Sequence, residues 1–574
     1  MTQISGSLII RNYNGFKGVD FSNRKDEIAL NRSPDALNMW KNYKSNNGKC
    51  IETRPDIELL EEYSDTIFGL FFYAFNGVTH RIVHSGDKLY QDSAVIYSNM
   101  ARNKTQFFVF NNILYIKDGV KYLRYNGTEI KEVEGYIPTT TISRSASGGG
   151  TLYEDVNLLQ PLRKNSFCSD GASVDYILDV ENIDSDYPVK VWVDGKEVSN
   201  FKVNYTSSKI TFNEAPKEPD TPGADNVVIQ FKKEVKGYRD RIDKCTLVEL
   251  FDNRVFFSGN PDYPNMLWHC SLENPEYCSD LDYYAEGTND SMIKSIVAGN
   301  NALWVMKEPS QNNTTIFYHN PTVDADYGKI YPSVHSSISI GCMTTGINFN
   351  DSICFFSDRG LEAITGDVTT EQVLGHRSSL VDNRLLNESK YKDMALIEWE
   401  GYLLVIVGNK VYLADSRAMV NINNDNEYEW FYWEFDKNIT STCVKDGVLY
   451  LCTEETTKQG IKHVIYTLTN AKDTREVESY WCTLADEFKY PQYQKTTNKK
   501  GCVVDMEGAE VTISTKIDNN EFTKINTYKN IKGYVVARIK KKKWKSIQLK
   551  FSSSKPFSLY SSTLEAYVGS YVKR

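Results

Sequence analysis

Long apolar runs are missing from this chain of 574 residues. The longest candidate, Tyr402 to Val407, has the length of a strand, far short of the roughly 18 residues of a membrane span. No membrane-spanning segment is expected. The N-terminus, Met1-Thr2-Gln3-Ile4-Ser5, lacks the basic start and long apolar core of a secretion signal. A disulfide framework is missing too. The eleven cysteines are odd in number and scattered, and Cys354, Cys443 and Cys452 sit inside apolar strand patterns. That is how small buried hydrophobes are distributed in a reducing compartment. Cys270 and Cys278 lie closer together, but no second ligand pair accompanies them to make a metal site.

The motifs of common catalysts are absent as well. There is no P-loop, no G-x-G-x-x-G and no G-x-S-x-G nucleophile elbow. Of the seven histidines, His80 and His84 are four apart, but their segment reads as a strand. That spacing separates them by about 13 Å, and no Glu follows His80 as a metalloprotease requires. Asp20, Asp26 and Asp35 match no calcium loop. Asp324, Asp326 and Asp358 are among the carboxylates that could serve a glycosidase, which needs two at the right separation. No catalytic, cofactor-binding or metal residue is therefore assigned. The chain is expected to carry no cofactor and not to be an enzyme. The formal net charge of −9 does not suit a general nucleic-acid coat.

What is present is a rhythm. A polar or glycine pair followed by an apolar run occurs at Asp252-Asn253, Asn300-Asn301, Asn350-Asp351, Glu400-Gly401 and Asp446-Gly447. From Val255 to Leu303, Ile353, Leu403 and Leu449 the steps are 48, 50, 50 and 46 residues. That is the length of a four-stranded sheet with its turns, the unit of a β-propeller. Tyr (37) and Phe (26) are abundant, as strands require. Two further copies, around Leu89 and Leu114, are only 25 residues apart, so they share a blade or the first blades are short.

These patterns predict an all-β chain with a propeller of about six or seven blades. Residues 1–60 form an N-terminal segment, in which Ser33-Pro34-Asp35 signals a short helix over Ser33–Trp40. Residues 61–151 hold the first blades. Ser143 to Gly150 reads as a flexible break. Residues 152–234, with five or so short strands, read as an inserted β-sandwich. Residues 235–477 hold the remaining blades, and 478–574 form a β-rich section that closes or flanks the propeller, pairing with N-terminal strands. The aromatic run Trp430-Phe431-Tyr432-Trp433-Glu434-Phe435 reads as packing between blades rather than a ligand platform. The basic run Arg538 to Lys545, with Lys540 to Lys543 and Trp544 inside it, has three readings: a solvated turn or guarded edge, docking on an acidic partner, or contact with DNA phosphates.

Several segments resemble tail proteins of double-stranded DNA bacteriophages, the nozzle or stabilisation (tail hub) proteins of short-tailed phages. They are Ser33-Pro34-Asp35-Ala36-Leu37-Asn38 with Thr53-Arg54-Pro55, then Asn253 to Pro261, and Ile340-Gly341-Cys342 with Phe355 to Leu361. Asp56 stands where that family usually has glycine after Arg-Pro. The resemblance implies a structural virion protein that forms a ring with itself, a hexamer in that family, and contacts other tail or neck proteins. Double-stranded DNA would be retained and then pass through. It also implies a chain made in the host cytoplasm and located in the virion tail. The alternatives are a receptor- or glycan-binding tail protein and a glycan-degrading propeller enzyme.

Overall fold

The computed structural model describes residues 8–571 apart from 47, 312–313, 326–327, 367–372, 423–424, 459, 470–475 and 541–542. Met1 to Ser5, Asp326, Lys541 and Lys542 thus lie outside the described residues. The fold is all-β, and the few helices among the described residues span no more than six residues each. No helix among the described residues is long and apolar enough to cross a membrane.

Among the described residues, six sheets of four antiparallel strands, and a seventh run of four within a larger sheet, carry the strand order of propeller blades. In all seven, a two-residue turn joins the first strand to the second. The turns are Asn76-Gly77, Asn111-Asn112, Asp252-Asn253, Asn300-Asn301, Asn350-Asp351, Glu400-Gly401 and Asp446-Gly447, and every one of these residues has φ between 48° and 77°. A two-residue hairpin loop of this hand matches the right-handed twist of its strands only when both residues sit left-handed, which Asn, Asp and Gly tolerate. Each apolar run of the rhythm is the second strand: Arg254–Ser258, Ala302–Lys307, Ser352–Phe356, Tyr402–Val407 and Val448–Thr457. Ala302–Lys307, Ser352–Phe356 and Tyr402–Val407 are buried throughout, which explains unbroken hydrophobicity instead of alternation. The two closely spaced copies belong to different sheets. Leu89 lies on a third strand, Lys88–Gln91, and Leu114 on a second, Ile113–Lys117.

The chain divides into two compact units, Phe71–Gly341 and the combination of Met1–Leu70 with Cys342–Arg574. The first contains four of the four-stranded sheets and an inserted pair of sheets. One inserted sheet has six strands and the other three, and Phe167, Tyr176, Val191, Ile210 and Phe231 share the core between them. The six-stranded sheet begins at Thr139, earlier than the expected 152. Ser143 to Gly150 is no flexible break. Thr139–Arg144 and Thr151–Leu152 pair across it, and the buried Arg144 guanidinium donates to the carbonyls of Gly149 (2.5 Å) and Ile177 (3.1 Å).

The second unit interlaces the two ends of the chain. Asp56–Tyr63 becomes the fourth strand of the sheet Asn438–Lys445, Val448–Thr457, Gly460–Thr469. Phe557–Tyr571 pairs with Leu8–Asn14, with Ile51–Thr53 and with the 25-residue strand Tyr493–Ile517. Ala36–Leu37 pairs with Ser479–Cys482. The helix expected at Ser33–Trp40 does not form. The Ser33 hydroxyl instead accepts the Asp35 N–H (3.2 Å), Asn38 turns left-handed (φ 56°), and Met39–Trp40 joins the sheet against Thr53 and Tyr432. Strand pairing has overridden a local helix signal.

Candidate functional site

The residues singled out in the sequence are dispersed. His80 faces Asp92 (2.5 Å), whereas His84 is buried, with its ring nitrogens at Thr105 Oγ1 (2.5 Å) and the Gly86 carbonyl (3.1 Å). Asp20 accepts from the Ser22 and Asn23 amides, Asp26 pairs with Arg24, and Asp35 accepts from Tyr480 (3.0 Å). All eleven cysteines are free, and Cys270 and Cys278 lie in one apolar core. Asp324 sits in a two-stranded hairpin and Asp358 is exposed in a turn. Among the described residues no three His, Cys, Asp or Glu side chains are grouped to hold a metal ion. The aromatic run is buried in the large sheet, where the Trp430 indole donates to the Arg377 carbonyl (3.0 Å).

The basic run forms the connection from Thr523–Ala537 to Ile547–Ser553. Its Trp544 is 1% exposed and packs edge-on to Phe488, so it offers no face for a nucleic-acid base. Lys495 lies beside it, and its ammonium donates to the carbonyls of Tyr490 (2.5 Å) and Lys545 (2.7 Å); burial pulls its pKa down to about 8. Arg538 and Lys540 border a cavity of about 530 Å³ with Thr515, Asn520 and Glu521.

Three features carry chemistry that the sequence did not announce. The first is His376, clamped between Glu362 (3.2 Å) and Asp382 (2.6 Å). Burial alone would lower its pKa, but the two carboxylates outweigh it and raise the value to about 10, so the imidazole is a cation at neutral pH. Ser378 donates to Asp382 (2.6 Å), and Gly360 (φ 136°) leaves the space: a Cβ there would lie 2.4–2.7 Å from Ser378, Asp382 and His376. These residues bond to one another, and Glu362 and Ser378 also accept from the Ser357 hydroxyl (3.3 Å) and the Leu361 amide (2.8 Å), which describes a clamp that fixes the Phe355 to Leu361 turn.

The second is the ribbon of Tyr493–Ile517 and Thr523–Ala537. The outer strand, 15 residues long, pairs with nothing else among the described residues. Lys532, Tyr534 and Val536 lie on its exposed face, Tyr534 being 76% exposed. An open edge of this length is a template for another chain.

The third is a cavity of about 310 Å³ whose lining includes Trp40, Lys44, Trp399, Glu400 and Thr469. Trp40 and Trp399 stack with centroids 5.4 Å apart, and Trp433 meets Trp40 edge-on at the same distance. The Trp399 indole donates to the Gly447 carbonyl (2.9 Å), which ties this wall of the cavity to the Asp446-Gly447 turn. Sequence reasoning missed this cavity because its walls come from distant segments; the one local signal was Glu400, a residue out of place in the hairpin pattern.

No family model matches the sequence, and no curated protein matches it significantly. Among solved structures, an exo-β-1,3-galactanase from Phanerochaete chrysosporium is similar with a TM-score of 0.22 and 8% identity, over 55% of this chain and 94% of that one. A putative exported protein from Bacteroides fragilis gives 0.27 and 10%, over 72% and 98%. A sialidase from Trypanosoma rangeli gives 0.20 and 8%, over 57% and 91%. The expectation that the chain is not an enzyme is corrected: proteins similar to it include glycoside hydrolases. At these scores no activity is carried over from them.

Proposed function

We propose that this chain is a structural component of a bacteriophage tail, a hub or nozzle-type protein that joins copies of itself into a ring and helps retain and then conduct the genome. The observation that carries this reading is the ribbon. Its 15-residue outer strand is open, and its exposed face bears Lys532, Tyr534 and Val536. Lys524, Lys529 and Lys532 guard part of this edge, and the exposed Tyr534 and Val536 are the apolar groups that another chain would cover. Head-to-tail contacts, in which this edge meets a different surface of the next copy, close into a ring when the rotation between copies permits. The basic connection beside the ribbon supplies a surface for an acidic neighbour in the tail, and the motifs at Asn253 and Phe355 fit the same family.

Negative-stain imaging of the purified chain tests this. The expected result is a closed ring with an axial channel roughly 20–40 Å wide, room for a duplex whose major groove alone is about 12 Å across. A monomer or trimer would overturn it. A second reading, receptor or glycan binding, is favoured by one observation, the indole-walled cavity at Trp40 and Trp399.

A further inference from the structure

The ribbon ends a run of strands whose other end is open as well. Leu8–Asn14, Phe557–Tyr571, Tyr493–Ile517 and Thr523–Ala537 follow one another, each antiparallel to the next. One row of paired residues crosses all four, at Asn12, Thr563, Val503 and Val536. This row lies on the open face of the run, where the Thr563 hydroxyl donates to Asn12 (3.0 Å). The rows beside it place Tyr13, Val504 and Ala537 on the buried face. Among the described residues, Leu8–Asn14 pairs only with Phe557–Tyr571, so its outer side is a second free edge.

This second edge lacks the usual guards. It has no lysine, no proline and no bulge. Its one charge, Arg11, lies on the covered face and pairs with Asp486 (3.1 Å). On the open face Leu8 and Ile10 are 45% and 51% exposed.

The two edges suit each other in extent, direction and face. Tyr528 donates to the Val536 carbonyl (2.7 Å) from eight residues away, a span of about 26 Å in a straight strand. The outer strand of the ribbon therefore bends between them, where Asn530 (φ 50°) and Gly533 (φ 105°) leave the extended conformation. The limb that carries Tyr534 and Val536 is short, and so is Leu8–Asn14, at seven residues. Direction follows from the strand count. After four antiparallel strands, a copy brought up in the same orientation lays its Leu8–Asn14 antiparallel to that limb. Face follows from the period of two: Leu8 opposite Val536 brings Ile10 opposite Tyr534, with all four side chains on the open face. A β-branched residue opposite an aromatic one is a stabilising cross-strand pair.

We propose that Leu8–Asn14 of one copy adds to residues 531–537 of the next, so that strands of neighbouring copies form one continuous sheet. The inference rests on the assembly reading above and adds the surface that the ribbon meets. An edge that paired with its own kind would stop at a dimer. Two unlike edges continue from copy to copy until the rotation closes them.

Sedimentation velocity on the full chain tests it with two variants, each blocking one edge. Leu8→Lys with Ile10→Lys blocks the first, and Tyr534→Lys with Val536→Lys blocks the second. All four positions are exposed, so both variants should keep the wild-type Tm. Ile10→Lys alone replaces the first variant if the double change unfolds it. Each variant by itself should lose the multi-copy species of the wild type. An equimolar mixture should give a two-copy species and nothing larger, because one free edge of each kind remains. If the Leu8 and Ile10 variant assembles like the wild type while the ribbon variant does not, the ribbon meets another surface. That result, or a mixture that stays monomeric, overturns this inference and leaves the assembly reading intact. A monomeric wild type overturns the assembly reading itself, and this inference with it.

Discussion

The four-stranded sheets and the sheet that gathers the chain ends achieve burial by opposite routes. In the former, the first two strands are joined by a two-residue turn, as at Asn300-Asn301 between Ile293–Gly299 and Ala302–Lys307. In the latter, Leu8–Asn14 lies against Phe557–Tyr571, and Ala36–Leu37 against Ser479–Cys482. The first kind of pairing costs little loop entropy and is fixed by turn chemistry. The second must be won by side chains that meet only after the ends have come together. The two regions therefore do different jobs: local sheets give a scaffold, and the interlaced sheet locks its ends and carries the open ribbon.

The largest effect should come from removing a side chain at the lock. Trp481 is 2% exposed, pairs opposite Ala36 and Phe551, and meets Phe16 edge-on. Trp481→Ala should cost about 3–5 kcal/mol in thermal or urea unfolding, as should Trp304→Ala in a local sheet, where Trp304 is fully buried. The two should differ in proteolysis: only Trp481→Ala should speed cleavage near the N-terminus. Equal cleavage in both would erase the distinction between lock and scaffold.

Next comes the clamp at His376. Its folded pKa of about 10 lies above the ordinary 6.5. Its stabilising contribution is therefore fully present below about pH 6.5 and is lost as pH rises through about 10. The wild-type Tm should fall across that window, and His376→Gln should flatten this part of the slope. A wild-type slope unchanged in the variant would show that the clamp contributes nothing.

A smaller effect isolates the turns. Asn301 holds φ 60°, so Asn301→Val should cost about 1–2 kcal/mol while Asn301→Gly stays near neutral. Equal costs would mean that the turn does not set the register.

The same contrast governs how much of the molecule is legible in its sequence. The second strands were legible because a left-handed turn restricts its residues to a few types and a strand covered on both faces becomes an apolar run. Asn253, Asn301 and Gly447 announce their hairpins by residue type and position alone. The partner of Leu8–Asn14 was not legible in register, since a strand says which face is apolar but not which distant strand will cover it. Ser33 to Trp40 misled for a related reason: its helix signal is local, and the pairing of Met39 with Thr53 and Tyr432 is not. Ser143 to Gly150 looked like a linker because glycine marks flexibility and tight turns alike. His376, Trp40 and Trp399 each stand alone in sequence and become sites only when Asp382, Glu362 or Thr469 is brought beside them.

The smallest effect on stability should come from the ribbon. Tyr534→Lys with Val536→Lys changes exposed side chains and should move stability by no more than about 0.5 kcal/mol. Sedimentation velocity of the full chain beside this double variant is the most direct test of the central claim, that the ribbon joins copies of this protein. A multi-copy species in the wild type that the folded variant loses is the predicted result. A wild type that sediments as a monomer, or a variant that assembles equally well, would contradict it.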